Sequence, residues 1–400
     1  MMHLRKTYLG CFVTIVLMAH SCVEPFDAKT ETFESALVID ATITNEMKQQ
    51  EIFLSRSFRI EDDGPAPESG ANVSVVDDTQ NQYTFAEESP GRYLSTSPFA
   101  AAPGRSYQLQ LTTNTGRTYT SDMVQLTAVT QIDNLYAERI VNDDGDEGMA
   151  LFVDSFDPTD SSKNYRYEFA ETYKIIAPDW TPDDLIPGPN PDCNVLVVPR
   201  TTDQETCFTT DVSRDIILTD TNDLNEDRVS RFLVRFINRN NYIITHRYSI
   251  MVRQLVQSNE AYTFFETLRD FSGSESLFSE TQPGFLAGNV FSVESSNEKV
   301  LGYFDVASVT EERIFFNYDD FFPGEPLPPY ADPCARSSPP LTRGNPPVCV
   351  LRNQVVANLV RYVGSNSAPG STTGPHEIVP RVCGDCTVLG KTEIPEFWIE

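Results

Sequence analysis

The 400-residue chain is poor in cations, with 30 Lys and Arg against 58 Asp and Glu, and it holds only four His and two Trp. A formal charge of −28 repels phosphate backbones, which excludes nucleic acid as an ordinary partner. His3 and His20 fall in an amino-terminal leader, so His246 and His376 alone remain for chemistry. His246 sits in a strand-like run and reads as structural. H-E-x-x-H and G-x-S-x-G are both missing, which leaves zincin and serine-hydrolase readings without a motif. The run from Gly384 through Gly390-Lys391-Thr392 superficially suggests a phosphate loop, but its glycine spacing is one residue too long. Among 58 acids, carboxylate pairs arise everywhere by chance, so no glycosidase pair can be singled out. No catalytic residue, cofactor or metal is therefore expected. Beyond the leader no stretch approaches 18 uncharged apolar residues, which excludes a later membrane-spanning helix.

What is present begins with export. Arg5-Lys6 precede an uncharged run from Tyr8 to Ala19, the length of a signal-peptide core and too short to span about 30 Å of hydrocarbon. Ala19-His20-Ser21-Cys22 resembles a bacterial lipobox, in which Cys22 becomes the lipidated first residue; Ala19 stands where Leu is usual. Residues 1–21 are thus expected to be a signal peptide and 22–35 an acidic tether, with a lipid at Cys22 as the membrane attachment. Processing leaves 28 basic against 58 acidic side chains.

From Leu37 onward the pattern is β. Runs at 37–43, 51–58, 72–77, 81–86, 91–95, 105–113 and 117–126 alternate apolar and polar residues between turn residues, which predicts a sandwich over 36–128. Gly70-Ala71-x-Val73, Gly91-x-Tyr93 and Gly104-x-x-Tyr107 make this unit resemble transthyretin-like, Ig-like β-sandwiches, which usually serve as spacers or docking modules. A second β-rich, sandwich-like domain is expected over 129–330, loosely similar to fibronectin type III. Its strands fall at 132–138, 149–156, 164–176, 231–237, 241–256, 300–309 and 312–318. Ser258 and Asn259 read as capping residues for one amphipathic helix over 259–271, with its apolar face on the sheet. The fold class is mainly β, closed by a Pro- and Cys-rich carboxy-terminal segment over 331–400 packed on the second domain.

Six Pro in 178–199 and nine in 323–347 rule out central strands and predict long surface loops. Trp180 in the first loop, and Phe321 and Phe322 just before the second, could anchor a partner, or fold back on the sandwich. The acidic turn Asn142–Gly148 offers oxygen ligands for calcium without the EF-hand spacing, and a solvated hairpin loop is the simpler reading. Beyond Cys11 and Cys22 there remain Cys193, Cys207, Cys334, Cys349, Cys383 and Cys386, an even number that implies three disulfides in an exported chain. Cys193–Cys207 is the expected pair, closing a loop of about 15 residues for about 3 kcal/mol. The remaining four allow three connectivities, and Cys383-Gly-Asp-Cys386 could also be a redox pair or half a zinc site.

Several runs in order resemble the Bacteroidota lipoprotein family known as domain of unknown function 4249. They are Cys22-x-Glu24-Pro25-Phe26, Leu37-Val-Ile-Asp40 leading to Ile43-Thr44-Asn45, and Tyr248-Ser-Ile-x-Val-Arg253-Gln254 with Glu260-Ala261-Tyr262. Gln282-Pro283 before Gly288-Asn289, Val300-Leu-Gly-Tyr-Phe304, and Cys386-Thr-x-Leu-Gly390 to Pro395-x-Phe397-Trp398 complete the series. The resemblance brings no catalytic residues. It implies an outer-membrane lipoprotein accompanying a TonB-dependent β-barrel transporter as a non-enzymatic accessory or ligand-binding partner. The alternative is a surface hydrolase or adhesin with its site in the Pro-rich loops.

Overall fold

A computed structural model describes residues 35–59, 62, 64–189, 192–273, 286–370 and 372–400. Cys22, the leader and the tether through Glu34 lie outside the described residues, as do Gln282 and Pro283.

Alternation dictates the strands. Along Leu37–Thr44 the side chains of Leu37, Ile39, Ala41 and Ile43 are buried while Asp40 faces out, the period of two that a half-buried strand requires. Glu51–Arg56, Asn72–Asp77, Gln82–Ser89, Arg92–Ser95, Ser106–Thr112 and Thr118–Ser121 join it in one hydrogen-bonded sheet. They enclose a first core containing Ile52, Val73, Val75, Tyr93, Tyr107, Leu109 and Tyr119. Gly91 and Gly104 hold positive φ ahead of two buried tyrosines. The Tyr93 hydroxyl donates to the Glu68 carbonyl at 2.7 Å, and the Tyr107 hydroxyl accepts from the Ala102 amide at 2.8 Å. These glycine-to-tyrosine spacings therefore set turns and tie loops to the core.

A second core lies between two sheets. One carries Ile132–Val141, Glu147–Phe156 and Arg228–Asn238. The other carries Thr206–Val212, Asn164–Ile176, Tyr248–Gln257 and the end of Val300–Phe316. Leu151, Val153, Tyr167, Ile175, Tyr248, Ile250 and Val252 fill the space between them. The chain is thus mainly β throughout.

Two expectations are corrected here. Runs 300–309 and 312–318 form one continuous strand, Val300–Phe316. Its first half pairs in parallel with Leu37–Thr44 and its second half antiparallel with Tyr248–Gln257. Val300, Phe304 and Val306 therefore sit in the first core and Phe316 in the second, so this strand crosses the division drawn at 128/129. The run 241–256 is interrupted: a 3-10 turn at Tyr242–Ile244, capped by the Asn241 side chain, precedes a strand that starts at Tyr248. Gly302 makes the shared strand possible. Its φ is +101°, and a Cβ there would lie 1.8 Å from the Ile39 carbonyl oxygen.

The helix spans Asn259–Gly273, two residues beyond the expected end, with the Ser258 hydroxyl accepting from the Ala261 amide at 3.1 Å. Ala261 and Phe264 pack on Tyr303, as an apolar face against a sheet should. Beside it Asp305, fully buried, accepts from Gln257 Nε2 at 3.0 Å, and burial pushes its carboxyl above the ordinary range.

Candidate functional site

The Pro-rich segments and the carboxy-terminal residues gather at one end of the second core. Residues 178–199 are not simply a loop: Asp183–Pro187 and Val195–Pro199 pair as a two-stranded hairpin. Proline is tolerated because Pro187 and Pro199 stand at strand ends, where a ladder donor is not required. Leu185 and Val195 point inward onto Leu351, Tyr362 and Ile378, forming a small satellite core of their own. Ile186 and Leu196 lie directly opposite each other and face out, 42% and 49% exposed.

All six late cysteines are oxidised, but the expected Cys193–Cys207 bond is wrong. The pairs are Cys193–Cys349, Cys207–Cys386 and Cys334–Cys383. Cys207 belongs to the strand that pairs with Asn164–Ile176 and is buried in the second core, whereas Cys193 lies on the hairpin beside the satellite core. Closeness in sequence did not place them together. The hairpin is held instead to the segment ahead of Leu351–Val356, and the core strand to the last residues of the chain. Because Cys383 and Cys386 bond to different partners, neither the redox-pair nor the zinc alternative retains thiolates. The Asp332, Cys334 and Cys383 side chains approach one another, but both sulfurs are already bonded together.

Charge reinforces the cross-links. Asp385 is fully buried; Arg361 Nη2 and Arg381 Nε donate to its Oδ2 at 2.6 and 2.9 Å, and the Thr387 amide to Oδ1 at 3.0 Å. Burial alone would raise its pKa, but the hydrogen bonds from Thr387 and Arg381 and the Arg361 charge outweigh it, holding the carboxyl below the usual range. Further on, Phe208 and Lys391 exchange two backbone hydrogen bonds, and Trp398 stands edge-on to Phe208 and Phe315 at 5.0 and 5.8 Å. The carboxy-terminal segment is thereby fastened across the second sheet.

The three aromatic residues expected as partner anchors fold back. Phe322 is 0% exposed, stacked on Tyr318 at 4.6 Å beneath Arg139 and Arg239. Phe321 is half-buried against Phe316, and Trp180 is half-buried on the second core. Rings next to a core that can accept them gain more from burial than from projecting into water. Ile186 and Leu196 are left exposed instead, because a two-stranded hairpin has one face on the satellite core and the other uncovered. The acidic turn after Val141 closes the hairpin between Ile132–Val141 and Glu147–Phe156; Asn142 Oδ1 accepts from the Asp144 and Asp146 amides, and Glu147 pairs with Arg139 and Arg239.

A cleft of about 410 Å³ opens at this same end, lined by Lys174, Thr245, His246, Arg247, Asn317, Asp319, Leu327 and Glu400 among others. Lys174 Nζ lies 3.0 and 3.2 Å from the two carboxylate oxygens of Glu400. Arg247 Nε donates to the Ile399 carbonyl, and its Nη1 to Asn317 Oδ1 at 3.2 Å. Burial, with the Lys174 charge beside it, holds His246 below its usual pKa. Sequence reading missed this cluster because its members come from four separated segments.

Among the described residues, no helix is long and apolar enough to cross a membrane. The family model described as Domain of unknown function (DUF4249) matches residues 23–313, well over half of the chain. The chain belongs to this family. The matched residues take in the first core, most of the second and all but the last three residues of the shared strand, and stop short of the cross-linked carboxy-terminal segment. No curated protein matches. Among solved structures, a DUF4785 family protein from Legionella pneumophila is similar at 7% identity, over 55% of this chain and 51% of that one, with a TM-score of 0.17. The chain thus aligns with about half the length of that protein.

Proposed function

We propose that the chain is an exported, lipid-anchored, non-enzymatic accessory of a TonB-dependent outer-membrane transporter, docking through the cross-linked end of its second core. The observation that carries the reading is the exposed Ile186–Leu196 pair on a hairpin fixed by Cys193–Cys349. An apolar pair held on a rigid support loses little entropy on binding, which is what a docking anchor requires. Three disulfides linking distant segments fit an oxidising compartment, and the family resemblance supplies the transporter as partner. Attachment would come from a lipid at Cys22.

Affinity purification tests this, with a tag in the exposed turn between Asn142 and Asp146 and membranes extracted in mild detergent. A β-barrel is expected to co-purify, and Cys22→Ala should shift the chain from the membrane pellet to the soluble fraction. If no barrel is recovered, the accessory reading fails, and a surface hydrolase or adhesin becomes the better account.

A further inference from the structure

We propose that the cleft between Lys174, His246 and Arg247 is a binding site for an acidic peptide segment presented in trans, and that the chain's own Ile399-Glu400 occupies it as an internal stand-in. The contacts define the ligand class. Arg247 takes a backbone carbonyl, that of Ile399, while Lys174 takes both oxygens of the next side-chain carboxylate, that of Glu400. A carbonyl followed by a Glu side chain is a peptide signature, which an inorganic anion cannot reproduce.

The remaining groups fit a peptide. Thr245 Oγ1 is buried and has no hydrogen-bond partner, so one more polar contact is free. His246 is neutral at pH 7 and can both donate and accept, and the Asp319 carboxylate on the cleft lining suits a backbone amide. The stand-in is also exchangeable. The Glu400 side chain is 64% exposed, and exposed ion pairs are weak, so a ligand with further contacts can displace it. This site is independent of the docking hairpin, and either can fail alone.

Fluorescence anisotropy with a labelled Phe-Trp-Ile-Glu peptide tests the proposal on the full chain. Trp398→Ala combined with Glu400→Gln loosens the internal strap, and it should bind the peptide about tenfold more tightly than the wild type, since the tethered competitor is gone. Adding Lys174→Met and Arg247→Met should return the affinity to the wild-type level or below, and Phe-Trp-Ile-Gln should bind several-fold more weakly than the Glu peptide. Equal binding by the loosened and wild-type chains, or by the chains with and without the two cations, would overturn it. Glu400→Gln alone leaves the Trp398 packing in place and provides a second reading. N-acetylglutamate should bind this variant about two- to fivefold more tightly than the wild type, the range expected of an exposed ion pair. No difference there would count against the site even if the doubly substituted chain misfolds.

Discussion

Replacing Cys207 and Cys386 together with Ala removes the bond that fastens the carboxy-terminal segment to the second core, and its cost can be worked from the connectivity. The two residues are 179 apart in sequence, but the other bonds shorten the loop. From Cys207 the path runs back 14 residues to Cys193, crosses to Cys349, runs 15 to Cys334, crosses to Cys383 and needs 3 more to reach Cys386. A closed loop of roughly 30 residues corresponds to about 3.5 kcal/mol in the chain-entropy model, against about 5 kcal/mol if this bond acted alone. Both sulfurs are fully buried, so their loss also leaves a small void. Urea unfolding followed by tryptophan fluorescence suits the measurement, because Trp398 packs on Phe208 next to the bond. The double variant should lose about 3–4 kcal/mol of unfolding free energy and so unfold at a lower urea midpoint, with the Trp398 region released first. Cys193→Ala with Cys207→Ala should be worse than either matched pair, since it breaks two bonds and leaves Cys349 and Cys386 unpaired. If that mismatched variant were as stable as a matched one, or if peptide mapping returned a 193–207 linkage, the reasoning would be refuted.

Gly302→Ala should destabilise the chain by several kcal/mol, since a Cβ would collide with the Ile39 carbonyl and the backbone would be held at φ +101°; a thermal midpoint within a degree of the wild type would contradict the shared strand. Asp385 has a lowered folded pKa, so its contribution is fully present above the unfolded value near 3.9 and is lost as pH falls through the folded value. Asp385→Asn removes the closer of the two carboxylates facing buried Arg361, leaving Asp184 at 3.3 Å, and should cost about 2 kcal/mol at pH 7; acid titration followed by limited proteolysis should show the segment 376–400 opening first in the wild type and a smaller acid response in the variant.

The first core was legible because its strands are local and alternating: Leu37–Thr44, Arg92–Ser95 and Ser106–Thr112 carry period-two burial and are separated by Gly, Asn and Asp turns. The helix was legible from its Ser258 cap and apolar spacing. What pattern could not show was the pairing of distant segments. Nothing local distinguishes Val300–Phe316 from two ordinary strands, because its double role depends on Leu37–Thr44 lying alongside it. The cysteine partners failed for the same reason: Cys207 and Cys193 are neighbours in sequence on elements that face different cores. Proline density in 178–199 correctly argued against a central strand, yet an edge hairpin with prolines at its ends satisfies the same constraint. Phe322 is buried and Ile186 exposed because exposure is decided by which core lies nearest, which composition does not report.

Site-specific photo-crosslinking in intact cells tests the docking account most directly. A photoreactive residue at Ile186 or Leu196 should give a crosslinked species containing a TonB-dependent β-barrel, while the same residue at Phe53 or Met123, exposed apolar positions beside the first core, should give none. A barrel captured equally from all four positions, or only from Phe53 and Met123, would contradict the claim that the cross-linked hairpin is the contact.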